Sequence, residues 1–387
     1  MNEPGVDTTR TDHSDTITQI LRLCLQSRWD REALDIVQRR AERDDVDWNA
    51  LLQLSRREGV AALLYHTTGN RGLLPTSTEE KLRVDYLTTA ARNMRLFYQL
   101  EGILKHLAEH RIPVILLKGA ALAKEVYPTI AVRPMNDVDV LVREGDVPPT
   151  LRTLNAMGYE TVAPTAYRCE VTARKPGSEK SPVEVHWSLF VSFYYQQRIP
   201  MDWLWETTKQ IEMGKTTASV LGPEAQLLHL CGHLHLHHGG DESRLLWLHD
   251  VAALLVRYED QIDWADLLNR CQQYDLVLPV RRTLRCMVNE WRAPIPPRAL
   301  QSFLEMEASQ REKRVLARLT ETESPAAGRF WTDLAEVPGR RKRLAVALRN
   351  VFPPPGYIEQ IHRVPHPLLI PFAYPYHWWL ALRRAAG

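Results

Sequence analysis

Two aspartates stand two residues apart in Asp137-Val138-Asp139-Val140-Leu141-Val142, a run that alternates as a strand does. Strand side chains alternate between faces, so both carboxylates leave one face and Val138 and Val140 the other. At about 5–6 Å and an effective dielectric near 20, such a pair repels by roughly 3 kcal/mol. A bound divalent cation removes that repulsion, and Mg²⁺ favours a few carboxylates together with substrate phosphates. A solvated edge strand with Arg133 or a lysine nearby would remove it as well. A third acid, Glu184, lies in Pro182-Val183-Glu184-Val185-His186-Trp187, where alternation puts Glu184 and His186 on one face. On a neighbouring strand it would make three carboxylates, enough for two metal ions.

Upstream, Ile112 to Leu117 is a short apolar run ending in Lys118-Gly119, and an Ala-rich helix-forming stretch follows until Pro128. A helix start with free backbone N–H groups suits a phosphate. Gly119 allows close backbone approach, Ala120 follows it, and Lys118 adds a positive charge. Lys118, Gly119 and Ala120 are therefore expected to cradle a nucleotide's phosphates opposite the acids. Arg133 could reach a phosphate or orient Asp137, or make an ordinary salt bridge.

These residues need a scaffold. Residues 1–15 read as a disordered tail, and 16–110 as a helical region with apolar residues at three-to-four spacing. Residues 111–215 read strand, helix, strand, helix, strands, with strands expected over 137–142, 159–162, 167–173 and 183–189. Residues 216–350 return to helices. A Pro- and aromatic-rich tail, 351–387, is expected to pack on that helical domain. The expected class is α+β: a mixed sheet with helices, flanked by N- and C-terminal helical segments.

Composition narrows the function. The net charge of +2 gives no global nucleic-acid footprint. Five widely spaced cysteines without a Cys-x-x-Cys pair read as reduced thiols rather than a disulfide framework or zinc knuckle. The polar N-terminus and the lack of long apolar runs lead us to expect a cytoplasmic protein with no stable membrane insertion.

The stretches ILLKGAALAKEVY, VRPMNDVDVLV and VEVHWSL together resemble the uncharacterised nucleotidyltransferase family of the DNA polymerase β superfamily. Asp47-Trp48 through Tyr65 is similar to that family's N-terminal helical part, and Leu245 to Val251 to a Trp-Leu-x-Asp helix of its C-terminal part. The resemblance implies a polymerase β-like core with Asp137, Asp139 and Glu184 as catalytic metal ligands. It implies transfer of an NMP from a nucleoside triphosphate, ATP by default, to a hydroxyl, with Mg²⁺ (two ions) or Mn²⁺ and release of pyrophosphate. The acceptor stays open between a small molecule, a protein and an RNA end. The superfamily usually has serine where Ala120 stands, which keeps open a catalytically weak, antitoxin-like binding component.

Other signals are less specific. His229, His233 and His237 would share a helix face at i, i+4, i+8. They read as hydrogen-bonded packing, as cleft lining (His233 and His237, with His186), or as a metal site. The run Gly339 to Arg343 reads as a solvated helix end or an RNA contact. The tail around Trp378 and Trp379 reads as packing or as a membrane-surface element.

Overall fold

A computed structural model of the 387-residue chain describes residues 8–43, 46–69, 71–161, 169–177, 181–237, 244–320, 334–335, 337, 339–362 and 364–386. His238, residues 1–7 of the expected tail and the strand ends expected at 162 and 167–168 lie outside that description.

Five helices come first: α1 (Thr8–Gln26), α2 (Arg31–Glu42), α3 (Trp48–Arg57), α4 (Ala61–Thr68) and α5 (Thr76–Glu109). Local chemistry starts them. Asp30 and Asp47 accept hydrogen bonds from backbone N–H groups of the first turns of α2 and α3, the usual role of aspartate at a helix start. α1 begins at Thr8, so helix runs into the stretch read as a tail.

The centre is one seven-stranded mixed sheet, ordered β3-β4-β5-β2-β1-β7-β6. Its strands are β1 (Ile115–Leu116), β2 (Val138–Leu141), β3 (Glu160–Thr161), β4 (Glu170–Arg174), β5 (Val183–His186), β6 (Lys209–Met213) and β7 (Thr216–Val220). Helices α6 (Lys118–Glu125), α7 (Val147–Ala156), α8 (Phe193–Gln196) and α9 (Met201–Glu206) connect them. β2 pairs antiparallel with β1 and parallel with β5. Val138, Val140, Val183 and Val185 line one face and bury against Leu96, Leu100, Ile103 and Leu107 of α5. That packing commits the alternate residues, Asp139 and Glu184, to the other face.

The hairpin β6–β7 corrects the sequence reading, which placed the end of the core at residue 215. β7 pairs in parallel with β1, so the sheet runs on to Val220. The turn between the hairpin strands holds Gly214 at φ +64°, a backbone region that favours glycine. Its alternation, Ile211 and Met213 against Ala218 and Val220, was available as a strand signal.

Further along, the described helices include α10 (Pro223–Gly232), continued by a π-turn over His233–His237, then α11 (Leu245–Arg257), α12 (Trp264–Tyr274), α13 (Val277–Asn289), α14 (Pro297–Glu305), α15 (Gln310–Thr320), α16 (Arg340–Val351), α17 (Pro355–His362) and α18 (Ile370–Ala386). A second apolar cluster joins α1, α3 and α4 to α10, α11, α12 and α13. The two helical regions thus share one core. The α18 ring of Trp378 packs on Phe352, just past the end of α16, with centroids 5.2 Å apart.

Candidate active site

The site forms where β2 and β5 run side by side. Their register places Asp139 opposite Glu184 and Leu141 opposite His186, so parallel pairing brings two motifs 45 residues apart onto one face. His186 Nε2 lies 3.0 Å from Asp139 Oδ1 and 3.7 Å from Glu184 Oε2, and its Nδ1 is 3.5 Å from Glu170 Oε2 on β4. Asp139 and His186 are buried, while Glu184 is partly open. Asp137 precedes β2 by one residue and is half-buried. It is therefore the loop shoulder of the site rather than a member of the strand.

Electrostatics follow from that crowding. Burial alone would raise the Asp139 carboxyl, but Lys118 and His186 hold it well below the usual carboxylate range. Burial alone would lower His186. Its hydrogen bonds to Asp139 and Glu184 and the Asp139 charge instead raise it to about 9, so Nε2–H donates to Asp139 at neutral pH. Asp137 moves up, first from burial and then from the charges of Asp139 and Glu184.

The residues present fit a divalent cation. Asp139, Glu184 and His186 each offer a ligand atom, and all three atoms lie within 4.8 Å of one another. The Lys118 ammonium stands 3.1 Å from Asp139 Oδ1, a positive charge already held against one of these carboxylates. Geometry thus sets His186 beside the expected acids, where it would ligate only after giving up its Nε2 proton, and leaves Asp137 to one side of this trio. The alternation in Val183 to His186 was the signal for it.

The Lys118-Gly119 turn is built differently from expectation. The left-handed backbone belongs to Lys118, at φ +41°, a strained setting for a non-glycine residue. Gly119 is needed for packing. A Cβ there would meet Arg133 Nη1 at 2.8 Å and Met135 at 3.2 Å. The Ala120 methyl is buried in the apolar cluster under the sheet, so only its backbone faces the turn.

Arg133 is an interior residue. Its Nε and Nη2 donate to the two Asp250 carboxylate oxygens at 2.8 and 2.7 Å. The Tyr127 hydroxyl donates to Asp250 Oδ1 at 2.6 Å and lies 3.0 Å from His249 Nδ1. Asp250, in the Trp-Leu-x-Asp helix α11, therefore anchors the loop that leads into β2. Sequence reasoning gave Asp250 no role, because its partner lies 117 residues away.

The histidines form a ladder beside this site. The π-turn brings the His233 and His237 rings into a stack, 5.2 Å apart and 22° from parallel. His229 lies 6.4 Å from His233. His229 is buried and its Nε2 has no hydrogen-bond partner. Burial, reinforced by Lys118, keeps its pKa well below the ordinary value. His233 is half-buried and also meets Trp247, while His237 is exposed. Beneath the ladder Phe190 packs on Gly232, where a Cβ would come within 2.3 Å of the ring.

No curated protein matches the chain. Among solved structures, an antigenic nucleotidyltransferase-like protein from Paracoccidioides brasiliensis is similar over 54% of this chain and 97% of its own, at 14% identity and a TM-score of 0.39. The family described as an uncharacterised nucleotidyltransferase matches residues 44–291. That span covers α3 to α5, the acidic strand, Glu184, His186 and the Arg133–Asp250 pair. The chain belongs to this uncharacterised nucleotidyltransferase family.

Proposed function

We propose that the protein transfers an NMP from a nucleoside triphosphate, with ATP as the default donor, to a hydroxyl of an acceptor, releasing pyrophosphate. The observation that carries this reading is the Asp139–Glu184 register on neighbouring parallel strands, with Asp137 and Lys118 beside it. Asp139 and Glu184, with Asp137 at the shoulder, are the proposed holders of Mg²⁺ or Mn²⁺. When bound, such ions neutralise phosphate charge and activate the attacking oxygen. His186 holds the Asp139 carboxylate in a fixed orientation through its Nε2–H. Lys118 exchanges Asp139 for the triphosphate as substrate enters, and the backbone N–H groups at the start of α6 face the phosphates. In this reading the half-buried Glu184 takes the acceptor proton, with Asp139 as the alternative. His186, His233 and His237 line the approach.

The test is to incubate the protein with each labelled NTP and a cell extract, and to follow label into an acceptor. Folded Asp137→Asn and Asp139→Asn variants should lose transfer. Full activity in both overturns the site assignment.

Ala120 supports a second reading, a nucleotidyltransferase-fold component that binds a partner without turnover. It predicts no calorimetric signal with ATP and Mg²⁺.

A further inference from the structure

The end of the chain departs from the rest both in charge and in what it shows to solvent. Residues 340–387 hold eight Lys and Arg against one acid, Glu359, a net of +7. The whole chain nets +2, so the residues before them net −5. Ten of the fifteen large apolar side chains exposed among the described residues fall between Leu344 and Trp379. Soluble monomers scatter such residues, and a gathering of them marks a contact surface.

α18 divides its aromatic residues between two sides. Tyr374 and Trp378 turn inward: the Tyr374 hydroxyl donates to the Pro353 carbonyl at 2.5 Å and the Trp378 indole to the Val351 carbonyl at 2.6 Å. Phe372, Tyr376 and Trp379, at i, i+4 and i+7, share the other side and are 77%, 53% and 51% exposed. Leu368 extends that stripe at 76% exposed. The Tyr376 and Trp379 rings stack 6.0 Å apart, and the Arg383 guanidinium lies 5.5 Å from the Trp379 ring. α16 repeats the arrangement on a smaller scale: Arg340, Arg341, Lys342 and Arg343 at its start, then exposed Leu344 and Leu348.

Aromatic rings beside arginines match the headgroup layer of an anionic bilayer, where rings sit among glycerol backbones and cations meet phosphates. A single-stranded nucleic acid shares the charge preference but stacks its bases on flat partners. The aliphatic Leu344, Leu348 and Leu368 offer no such partner and favour lipid. No described helix is long and apolar enough to cross a membrane, so the contact lies in the plane of the surface.

We propose that residues 340–386 form an interfacial anchor that seats the protein on an anionic lipid surface. Phe372, Tyr376 and Trp379 enter the headgroup layer, and Arg340, Arg341 and Arg383 meet lipid phosphates. The anchor is independent of the proposed transfer reaction and needs no substrate.

The experiment is co-sedimentation of the full chain with vesicles of mixed phosphatidylglycerol and phosphatidylcholine, against vesicles of phosphatidylcholine alone. The expected result is partition onto the anionic vesicles that weakens as salt is added. A Phe372→Ser/Trp379→Ser variant should lose about tenfold or more of that partition. An Arg340→Glu/Arg341→Glu variant should lose a similar factor while keeping the wild-type circular dichroism and melting temperature. This second variant carries the test if the first fails to fold. Three results overturn the proposal: no partition of the wild type onto anionic vesicles, retention by a single-stranded RNA oligonucleotide instead of vesicles, or a dimer that the Phe372→Ser/Trp379→Ser variant dissociates.

Discussion

The Arg133 guanidinium grips both carboxylate oxygens of Asp250, at 2.8 and 2.7 Å, in a pair shielded from solvent on both sides. One partner leads into the acidic strand and the other stands in α11, so the pair ties the loop before β2 to the C-terminal helices. Removing one member of such a pair leaves a buried charge without its counter-ion, at a cost of about 3–5 kcal/mol. Asp250→Ala should lower the unfolding free energy by that amount in urea titrations. An Arg133→Met/Asp250→Leu double variant should recover most of it. A double variant as unstable as Asp250→Ala would show that the pair does more than cancel its own charges.

The Lys118–Asp139 contact sets a second expectation. The ammonium sits on Asp139 Oδ1 and competes electrostatically with any cation bound to that carboxylate. Lys118→Met should therefore bind free Mn²⁺ more tightly than the wild type, by about three- to tenfold, while Mn²⁺–ATP binding weakens. Paramagnetic titration of Mn²⁺, with and without nucleotide, reads both quantities. Parallel losses of the two affinities would mean that Lys118 simply supports the turn.

His186 should make the metal-free protein sensitive to alkali. Burial opposes protonation, but the bonds to Asp139 and Glu184 lift its pKa to about 9, above the ordinary 6.5. The folded state then holds the proton more tightly than the unfolded chain. The stabilisation is fully present below about pH 6.5 and is lost as pH rises through 9. It is on the order of 2–3 kcal/mol, counted once for the pair. Urea midpoints measured in chelator should fall across that window, and His186→Gln should flatten the slope. An unchanged slope in the variant would assign the alkaline loss to another group.

Glu312 adds a loss of stability in the same direction but at lower pH. Its side chain is buried, the Leu278 N–H donates to Oε1, and Oε2 has no partner. Burial first, and the Asp275 charge with it, push the carboxyl up to about 7 from an ordinary 4.5. Here the fold favours the neutral acid, so stability declines as pH rises from 4.5 through 7. Glu312→Gln keeps the acceptor and removes the charge. It should gain about 1–3 kcal/mol above pH 7 and little at pH 4. A loss of stability at alkaline pH would contradict this reading.

Local patterns in the sequence carried the helical flanks and the strands of the acids. Val138 and Val140 announced a buried face, and Val183 and Val185 announced its neighbour. The same alternation aligned Glu184 with His186, and the register then set both beside Asp139. What local pattern could not carry was pairing at a distance. Arg133 was equally compatible with a phosphate, with Asp137 or with a salt bridge, because Asp250 is remote in the chain. Gly119 looked like a place for a ligand to approach, whereas Arg133 and Met135 fill the space that its side chain would take. The hairpin around Gly214 carries a weaker pattern, because its strands are short and polar on one side.

The contact of Phe190 with Gly232 has a mechanical consequence. Phe190 follows the strand that bears Glu184 and His186, and Gly232 ends the helix that bears His229. With ring against backbone and no room for a methyl group, even Gly232→Ala would push the end of that strand away from the helix.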